Sequence, residues 1–315
     1  MEKKFGFEFQ YYDVPQQVVI VEQIPGAERI LPYNWGGRKM LANILAYRDG
    51  AERLIMLDDD NFMTGSDFFG YYAAVGRESE MKQVSSESGW FNIYRGVVEE
   101  KALPIYPRGY PWSRRFGDDG GWEMKTARGT VAALNGFVLG DPDIDAITRL
   151  FAPVRVEAMA ADFAPGFALA PGTWSSWNNQ NTALARAAAP GYFTPPAAGR
   201  NSDIWAAFVL CKLSAQFGDL VAFGEPLVEQ IRNPHNLWRD LEDELPNNKA
   251  NEHFLDLLRA VELSGADYLA VLASLIEHAL AAAGADGDMP DDARREIAGF
   301  FEEYRIWHGI MDALS

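Results

Sequence analysis

Cysteine is all but missing from this chain. Cys211 is the single one in 315 residues, so no internal disulfide can form. It sits in an apolar stretch, where a thiol reads as an inert core group. Cations are scarce as well: 28 Lys and Arg stand against 45 Asp and Glu, a net charge of −17. That balance argues against a nucleic-acid partner, whose phosphates need Lys and Arg to neutralise them. It equally disfavours a purely electrostatic membrane anchor. No uninterrupted apolar run reaches the roughly 20 residues that span a bilayer. An apolar leader is missing too, since Met1-Glu2-Lys3-Lys4 runs into alternating aromatics. The expectation is a soluble protein of the reducing cytoplasm, without a membrane span.

What the chain has is apolar mass. Its residues are 48% hydrophobic, enough for one large domain or two ordinary ones. The stretch Arg53-Leu54-Ile55-Met56-Leu57-Asp58-Asp59-Asp60 organises the reading. An apolar run of strand length fits a parallel strand buried on both faces. Asp58, Asp59 and Asp60 then stand past its end, at the carboxyl edge where open α/β sheets bind ligands. Three adjacent carboxylates repel one another unless a cation compensates them. A divalent ion carrying a phosphorylated ligand meets that need, because Mg²⁺ often bridges carboxylates to substrate phosphates. A strand followed by an acidic solvated turn fits the same spacing.

Upstream, Phe5, Phe7 and Phe9 alternate with other residues as in a half-buried strand. Residues 18–21 and 29–33 read as short strands. Asn34-Trp35-Gly36-Gly37-Arg38 opens a helix with Met40, Leu41, Ile44 and Leu45 on one face, ended by Asp49-Gly50. The first third is then an α/β nucleotide-binding arrangement. At that helix start, glycines permit close backbone approach and the N-terminus favours anions. A packing turn would use the same glycines. Residues 68–73 read as helix and 90–95 as strand. Residues 130–139 form a second apolar strand, ending at Gly140-Asp141-Pro142-Asp143, and 224–231 another.

Three further segments carry candidate chemistry. Tyr106-Pro107-Arg108-Gly109-Tyr110-Pro111-Trp112-Ser113-Arg114-Arg115 is a Pro/Gly-broken loop that concentrates arginine in an acidic chain. Arg meets phosphate or carboxylate bidentately, although solvated surface arginines would look the same. Residues 172–181 hold Trp174, Trp177, Asn178, Asn179, Gln180 and Asn181; such residues suit a hydroxyl-rich ligand, and turns use them too. Gly199-Arg200-Asn201-Ser202-Asp203-Ile204-Trp205 heads an apolar helix. Asp203 in its first turn is either a helix cap or a general base. His235 follows in a loop, as polar surface usually does. From residue 251 on, apolar residues at helical spacing predict three amphipathic helices with a linker at 284–290. They read as a packing or oligomerisation module, so a homo-oligomer is an expectation. His253, His278 and His308 are structural or exposed there.

Four of these stretches, in order, resemble one family, the reversibly glycosylated polypeptides or UDP-arabinopyranose mutases. The resemblance covers roughly residues 18–245. Asp58-Asp59-Asp60 is similar to the family's triple-Asp form of the DxD motif. Residues 108–115 resemble its Arg-Gly-Tyr-Pro-Phe-Ser-x-Arg segment. Asn135-Gly136-Phe137-Val138-Leu139 with Asp141-Pro142-Asp143-Ile144-Asp145 resembles its Gly-Leu-Trp-Leu…Pro-Asp-x-Asp-Ala segment. Residues 199–205 resemble its Gly-Arg-x-Asp-Asp-Met-Trp. Asn34-Trp35-Gly36-Gly37, then Asp60, also looks like the wider GT-A pattern.

The resemblance implies an α/β fold of the GT-A, Rossmann-like nucleotide-sugar type over residues 1–245, with a C-terminal α-helical extension over 246–315. It implies Mn²⁺ or Mg²⁺ as cofactor, bound by Asp60 with Asp58, and His235 as a third ligand. Gly37, Arg38, Asp58, Asp59 and Arg114 would hold the donor, and Asp203 would be the general base. Arg108 or Arg115 would be the counterpart of the family's self-glycosylating arginine. Trp174, Trp177, Asn179, Asn181 and Trp205 would line the sugar or acceptor pocket. Two departures stand out. The family's opening strand is not recognisable before residue 18, and Ser202 stands where the family has the first Asp of a pair.

The leading expectation is therefore a metal-dependent glycosyltransferase, inverting, moving a sugar from a UDP-linked donor to a hydroxyl on a small molecule or glycan. The rivals are a mutase that isomerises the nucleotide-bound pentose and a non-catalytic sugar-nucleotide-binding subunit. A metal-dependent nucleotidyltransferase would need a Gly-rich signature that the chain lacks.

Overall fold

The computed structural model describes residues 10–65, 67–115 and 121–315. It is a mixed α/β fold, with one mixed sheet and helices gathered toward the C-terminus. The alternation at Phe5, Phe7 and Phe9 lies outside the described residues.

Neither short strand read at 18–21 and 29–33 forms: the first lies in helix α1 (Val14–Gln23), and the second begins in helix α2 (Ala27–Ile30) and runs on into a turn. The valines suggested β structure, but a local signal outweighs them. Asp13 and Gln16 form a reciprocal capping box, and Pro15 follows in the first turn. A capping box satisfies two backbone donors that an isolated helix start leaves open. The helix after the paired glycines is as read: a 3-10 turn, Gly36–Lys39, runs into α3 (Met40–Arg48), with Met40, Leu41, Ile44 and Leu45 buried. Trp90 to Arg95 is not a strand; a 3-10 turn, Ile93–Gly96, occupies its second half.

The acidic strand exists as β1 (Arg53–Leu57), but the expectation of a parallel, doubly buried strand is corrected. Among the described residues its partner is β8 (Asn181–Ala185), and the two run antiparallel. Leu54 and Met56 are buried while Arg53, Ile55 and Leu57 are half-buried, which is the alternation of a one-sided strand. The long strand β5 (Trp122–Gly140) pairs antiparallel with β8 and parallel with β9 (Leu220–Gln230). Strands β1, β5 and β9 therefore point the same way, and their carboxyl ends share one edge. That edge receives Asp58, the Asp141–Asp143 turn and Arg232, and β8 starts from it with Asn178 to Gln180 just before.

The remaining sheet is a side lobe. β3 (Glu78–Ser86) pairs with the first half of β5 and with β7 (Gly166–Leu169), which returns to β9. β2 (Asn61–Met63) borders β9, and β4 (Val97–Glu99) pairs with β6 (Val156–Met159).

Helix α4 (Phe68–Tyr71) and α5 (Ala146–Phe151) are short connectors. Helix α6 (Ser202–Phe217) is buried along most of its length and carries Cys211 inward. Burial pushes that thiol up to about 12, as befits an inert core group. The three tail helices are present as α7 (Leu237–Ala260), α8 (Tyr268–Ala285) and α9 (Asp291–Asp312). Their apolar faces turn into this chain's own core. Trp205 of α6 stacks on Phe254 at 4.1 Å between centroids, and Phe193 stacks on Trp307 at 4.8 Å. Pairs of this kind contribute about 0.5–1.5 kcal/mol beyond burial. The division drawn at residue 245 falls inside α7, and one hydrophobic cluster runs through both parts. Helix α8 has the length and apolarity to cross a membrane, yet Val271, Leu272, Leu275 and Ile276 pack in that core.

Candidate functional site

A cavity of about 470 Å³ opens at the carboxyl edge of β1, β5 and β9. This is where ligands bind in open α/β sheets. Its walls come from the 3-10 turn before α3, the acidic turn after β1, the loop before β8, the start of α6 and the segment after β9.

The turn before α3 shapes one wall. A Cβ at Gly37 would lie 2.5 Å from Trp35 Nε1 and 2.6 Å from Thr194 Oγ1, so only glycine fits there. Successive residues of a 3-10 turn point about 120° apart. Lys39 therefore faces the cavity while Arg38 turns away, bonding Gln17 and the Leu31 carbonyl. Lys39 Nζ donates to Asp58 Oδ1 and, at 3.2 Å, to the Asn179 carbonyl.

Arg108 is the hub of the opposite wall. It meets Asp143 bidentately, Nε to Oδ1 and Nη2 to Oδ2 at 2.9 Å each. Nη2 also reaches Asp203 at 3.1 Å, and Nη1 donates to the Arg200 carbonyl. That carbonyl is aimed by Gly199, whose φ of 47° breaks the 3-10 turn before α6. One cation thus serves two half-buried carboxylates. Burial raises the Asp203 carboxyl above the usual range; Arg108 opposes this, and Asp143 adds to it. Burial would raise Asp143 as well, but Arg108, Arg149 and Arg232 outweigh it and hold Asp143 low, at about 2. Two neighbouring carboxyls whose environments push them apart mark a division between a fixed anion and a proton acceptor.

Asp58, Asp59 and Asp60 all line the cavity, as does His235. Asp60 accepts from Gln230 Nε2 at 3.0 Å and from Asn61 Nδ2 at 3.2 Å. His235 leans on Asp240, with Nδ1 at 3.1 Å from Oδ2. Among the described residues, no three His, Cys, Asp or Glu groups are gathered for a metal ion. Mg²⁺ and its like usually take only one or two protein carboxylates plus substrate phosphates. Asp58 and Asp60 are hard oxygen donors at a ligand-sized cavity, so the donor set fits such an ion, although Lys39 already occupies one oxygen of Asp58.

Several buried polar atoms on this cavity's residues make no hydrogen bond: Asn179 Nδ2, Thr194 Oγ1, Arg200 Nε and Arg232 Nε. The two guanidinium nitrogens touch only Glu244 at 3.4 Å and Asp141 at 3.7 Å, as ion pairs. A buried donor without an acceptor costs about 1–3 kcal/mol. Such donors along one cavity fit an acceptor-rich ligand.

No protein-family model matches the chain, and no curated protein matches it. The functional reading rests on these residues.

Of the residues singled out from sequence, Gly36, Gly37, Asp58, Asp59, Asp60, Arg108, Asn178, Asn179, Gln180, Asp203 and His235 meet at the cavity. Arg38, Arg114, Arg115, Trp174, Trp177, Asn181 and Trp205 do not. Arg115 is buried against Asp145 at 2.6 Å, and Arg114 is exposed away from the cavity. Trp174 packs edge-on against Trp90, Trp177 stacks on Tyr192 and Trp205 on Phe254, all within the core. Asn181 is buried on β8, accepting from Tyr72 Oη at 2.6 Å. Sequence reasoning missed Lys39, Asp143, Arg200 and Arg232 as cavity residues. Asp143 had a signal, an apolar strand ending in carboxylates just as β1 does.

Proposed function

We propose that the chain is a nucleotide-sugar glycosyltransferase whose donor diphosphate and sugar lie in this cavity. One observation carries the reading: the Asp58–Asp60 turn, the glycine turn and the Arg108–Asp143–Asp203 cluster converge on one cavity at a sheet's carboxyl edge. The buried nitrogens of Arg200, Arg232 and Asn179 that make no hydrogen bond support an anionic, oxygen-rich ligand.

In this reading an acceptor hydroxyl attacks the anomeric carbon, the bond to the diphosphate oxygen breaks, and Asp203 receives the hydroxyl proton. Arg108 keeps Asp203 oriented and Asp143 ionised. Lys39, Arg200 and Arg232 add positive charge along the diphosphate path. Asp58 and Asp60 would hold a divalent ion, which when bound would supply further positive charge at the diphosphate. The amides of Asn178, Asn179 and Gln180 bind sugar hydroxyls.

An external acceptor is favoured over an arginine of this chain. Arg108 has its donors engaged by Asp143, Asp203 and backbone, and Arg115 is closed into an ion pair with Asp145. Neither is a free nucleophile.

The test is thermal denaturation with UDP, GDP, CDP and dTDP, each with and without Mn²⁺. A ligand that binds only the folded state raises the midpoint by mass action. A metal-dependent rise with one nucleotide is expected, followed by product analysis with the matching sugar donor. Interconversion of the donor without transfer would assign a mutase instead. No shift with any nucleotide would sink the donor-site reading.

A further inference from the structure

A second cavity, of about 410 Å³, lies at the other end of β1, where Arg53, Arg77 and Arg186 meet. In a chain of net charge −17, three guanidinium groups on one cavity are unusual, and their surroundings are more so. The two fully buried arginines among the described residues, Arg108 and Arg115, are by contrast matched to carboxylates. Here the charges are anchored by neutral groups. Arg53 Nε donates to the Val75 carbonyl at 2.8 Å, and its nearest carboxylate, on Glu52, is 3.9 Å away and largely in solvent. Arg186 Nη1 donates to the Tyr47 carbonyl at 2.5 Å, with the guanidinium 4.1 Å over the Tyr47 ring. Among the described residues Arg77 makes no side-chain hydrogen bond or ion pair, and it is exposed. The other carboxylate on the cavity, Asp219, already accepts from Tyr268 Oη at 2.8 Å.

We propose that this cavity binds a small phosphate-bearing anion. Two arginines are held in place by carbonyls and ring stacking, so they lose little freedom when a ligand arrives. Each keeps N–H groups beyond those its anchors use. Arg presents a planar fork that matches phosphate bidentately. Arg77 is the exposed third cation that would close over the ligand. The Thr130 residue on the cavity wall adds a hydroxyl donor. The site is separate from the donor cavity: β1 puts Arg53 at one end and Asp58 at the other.

The experiment is arginine footprinting of the full chain with phenylglyoxal, read by mass spectrometry, with and without inorganic phosphate. Arg239, a side chain 78% exposed and outside both cavities, is the internal control. Phosphate is expected to slow modification of Arg77 and Arg186 at least about tenfold more than that of Arg239. A titration by calorimetry on Arg77→Gln, whose side chain is exposed and whose folding should be intact, is expected to weaken the site about tenfold. Equal protection of Arg77 and Arg239, or phosphate affinity unchanged in Arg77→Gln, would overturn the proposal. Because the footprint is read residue by residue, failure of the donor-site reading would leave this result standing, and the reverse.

Discussion

Arg108 and Arg115 belong to one loop and find their carboxylates in one turn, Asp143 and Asp145. The two ion pairs nevertheless do different work. Around Arg115 the arrangement is one cation to one carboxylate. Asp145 fills its other oxygen by capping α5 through the Thr148 amide at 2.8 Å, and Arg115 stacks over Trp112 at 3.8 Å. Both side chains are all but inaccessible, 3% and 1% exposed. Both Asp145 oxygens have donors, and the pair is closed to solvent. Around Arg108 the arrangement is one cation to two carboxylates, on the wall of a cavity. Burial raises the Asp203 carboxyl, and Arg108, shared with Asp143, does not fully offset it. Balanced charge makes architecture; in the proposed reaction, the charge left over is the proton acceptor.

The comparison is broken most sharply by removing the leftover carboxylate. Asp203→Asn should lower transfer about 10²- to 10⁴-fold, the usual contribution of a positioned base, while the nucleotide-dependent midpoint shift survives. A loss of nucleotide binding instead would mean that Asp203 shapes the donor site and does not take a proton. Breaking the balanced pair should do the opposite. Arg115→Ala strands Asp145 in the core, and breaking a buried pair costs about 3–5 kcal/mol of stability. Urea unfolding should show it as a lower midpoint at unchanged slope, with folded material still binding nucleotide.

The two sites also differ in how plainly the sequence announces them. β1, α3 and the three tail helices were legible because apolar periodicity is local: Met40, Leu41, Ile44 and Leu45 cover one face whatever lies beyond. The antiparallel partner of β1 was not, since pairing with β8 is settled by residues more than a hundred positions away. α1 misled because Val18 and Val19 favour strands while Asp13 and Gln16 cap a helix. In the site, Asp58, Asp60, Arg108 and Asp203 could be named from residue type and position. Lys39 in place of Arg38 depended on the step of about 120° between neighbours in a single 3-10 turn. The tryptophans failed as sugar platforms because an indole suits a core as well as it suits a sugar, and Trp205 and Phe254 chose each other.

A milder test uses acid. The folded state favours the protonated form of Asp203, so its ionised form costs stability above its raised folded value; that cost shrinks as pH falls below it and is gone below the ordinary carboxyl value. Asn mimics the protonated form. Asp203→Asn should therefore melt a few degrees above the parent at neutral pH, and the gap should close in acid. Asp143 runs the other way. Its lowered value adds stability above the ordinary carboxyl range, near 4, which is lost as pH drops toward about 2. The acid limb of kcat/KM should accordingly sit above an ordinary Asp. A limb at or below the ordinary value would assign the base elsewhere.

The smallest effect tests the border of the site. Arg114 is the third arginine of the loop, exposed and off the cavity, and its charge is felt by Arg259 rather than by the Arg108 cluster. Exposed groups away from such features change stability by no more than about 0.5 kcal/mol. Arg114→Gln should leave the nucleotide shift, the transfer rate and the urea midpoint within error. A several-fold loss of donor binding would mean that the loop swings Arg114 inward when the ligand arrives. The cavity wall drawn here at Arg108 would then belong to the open form alone.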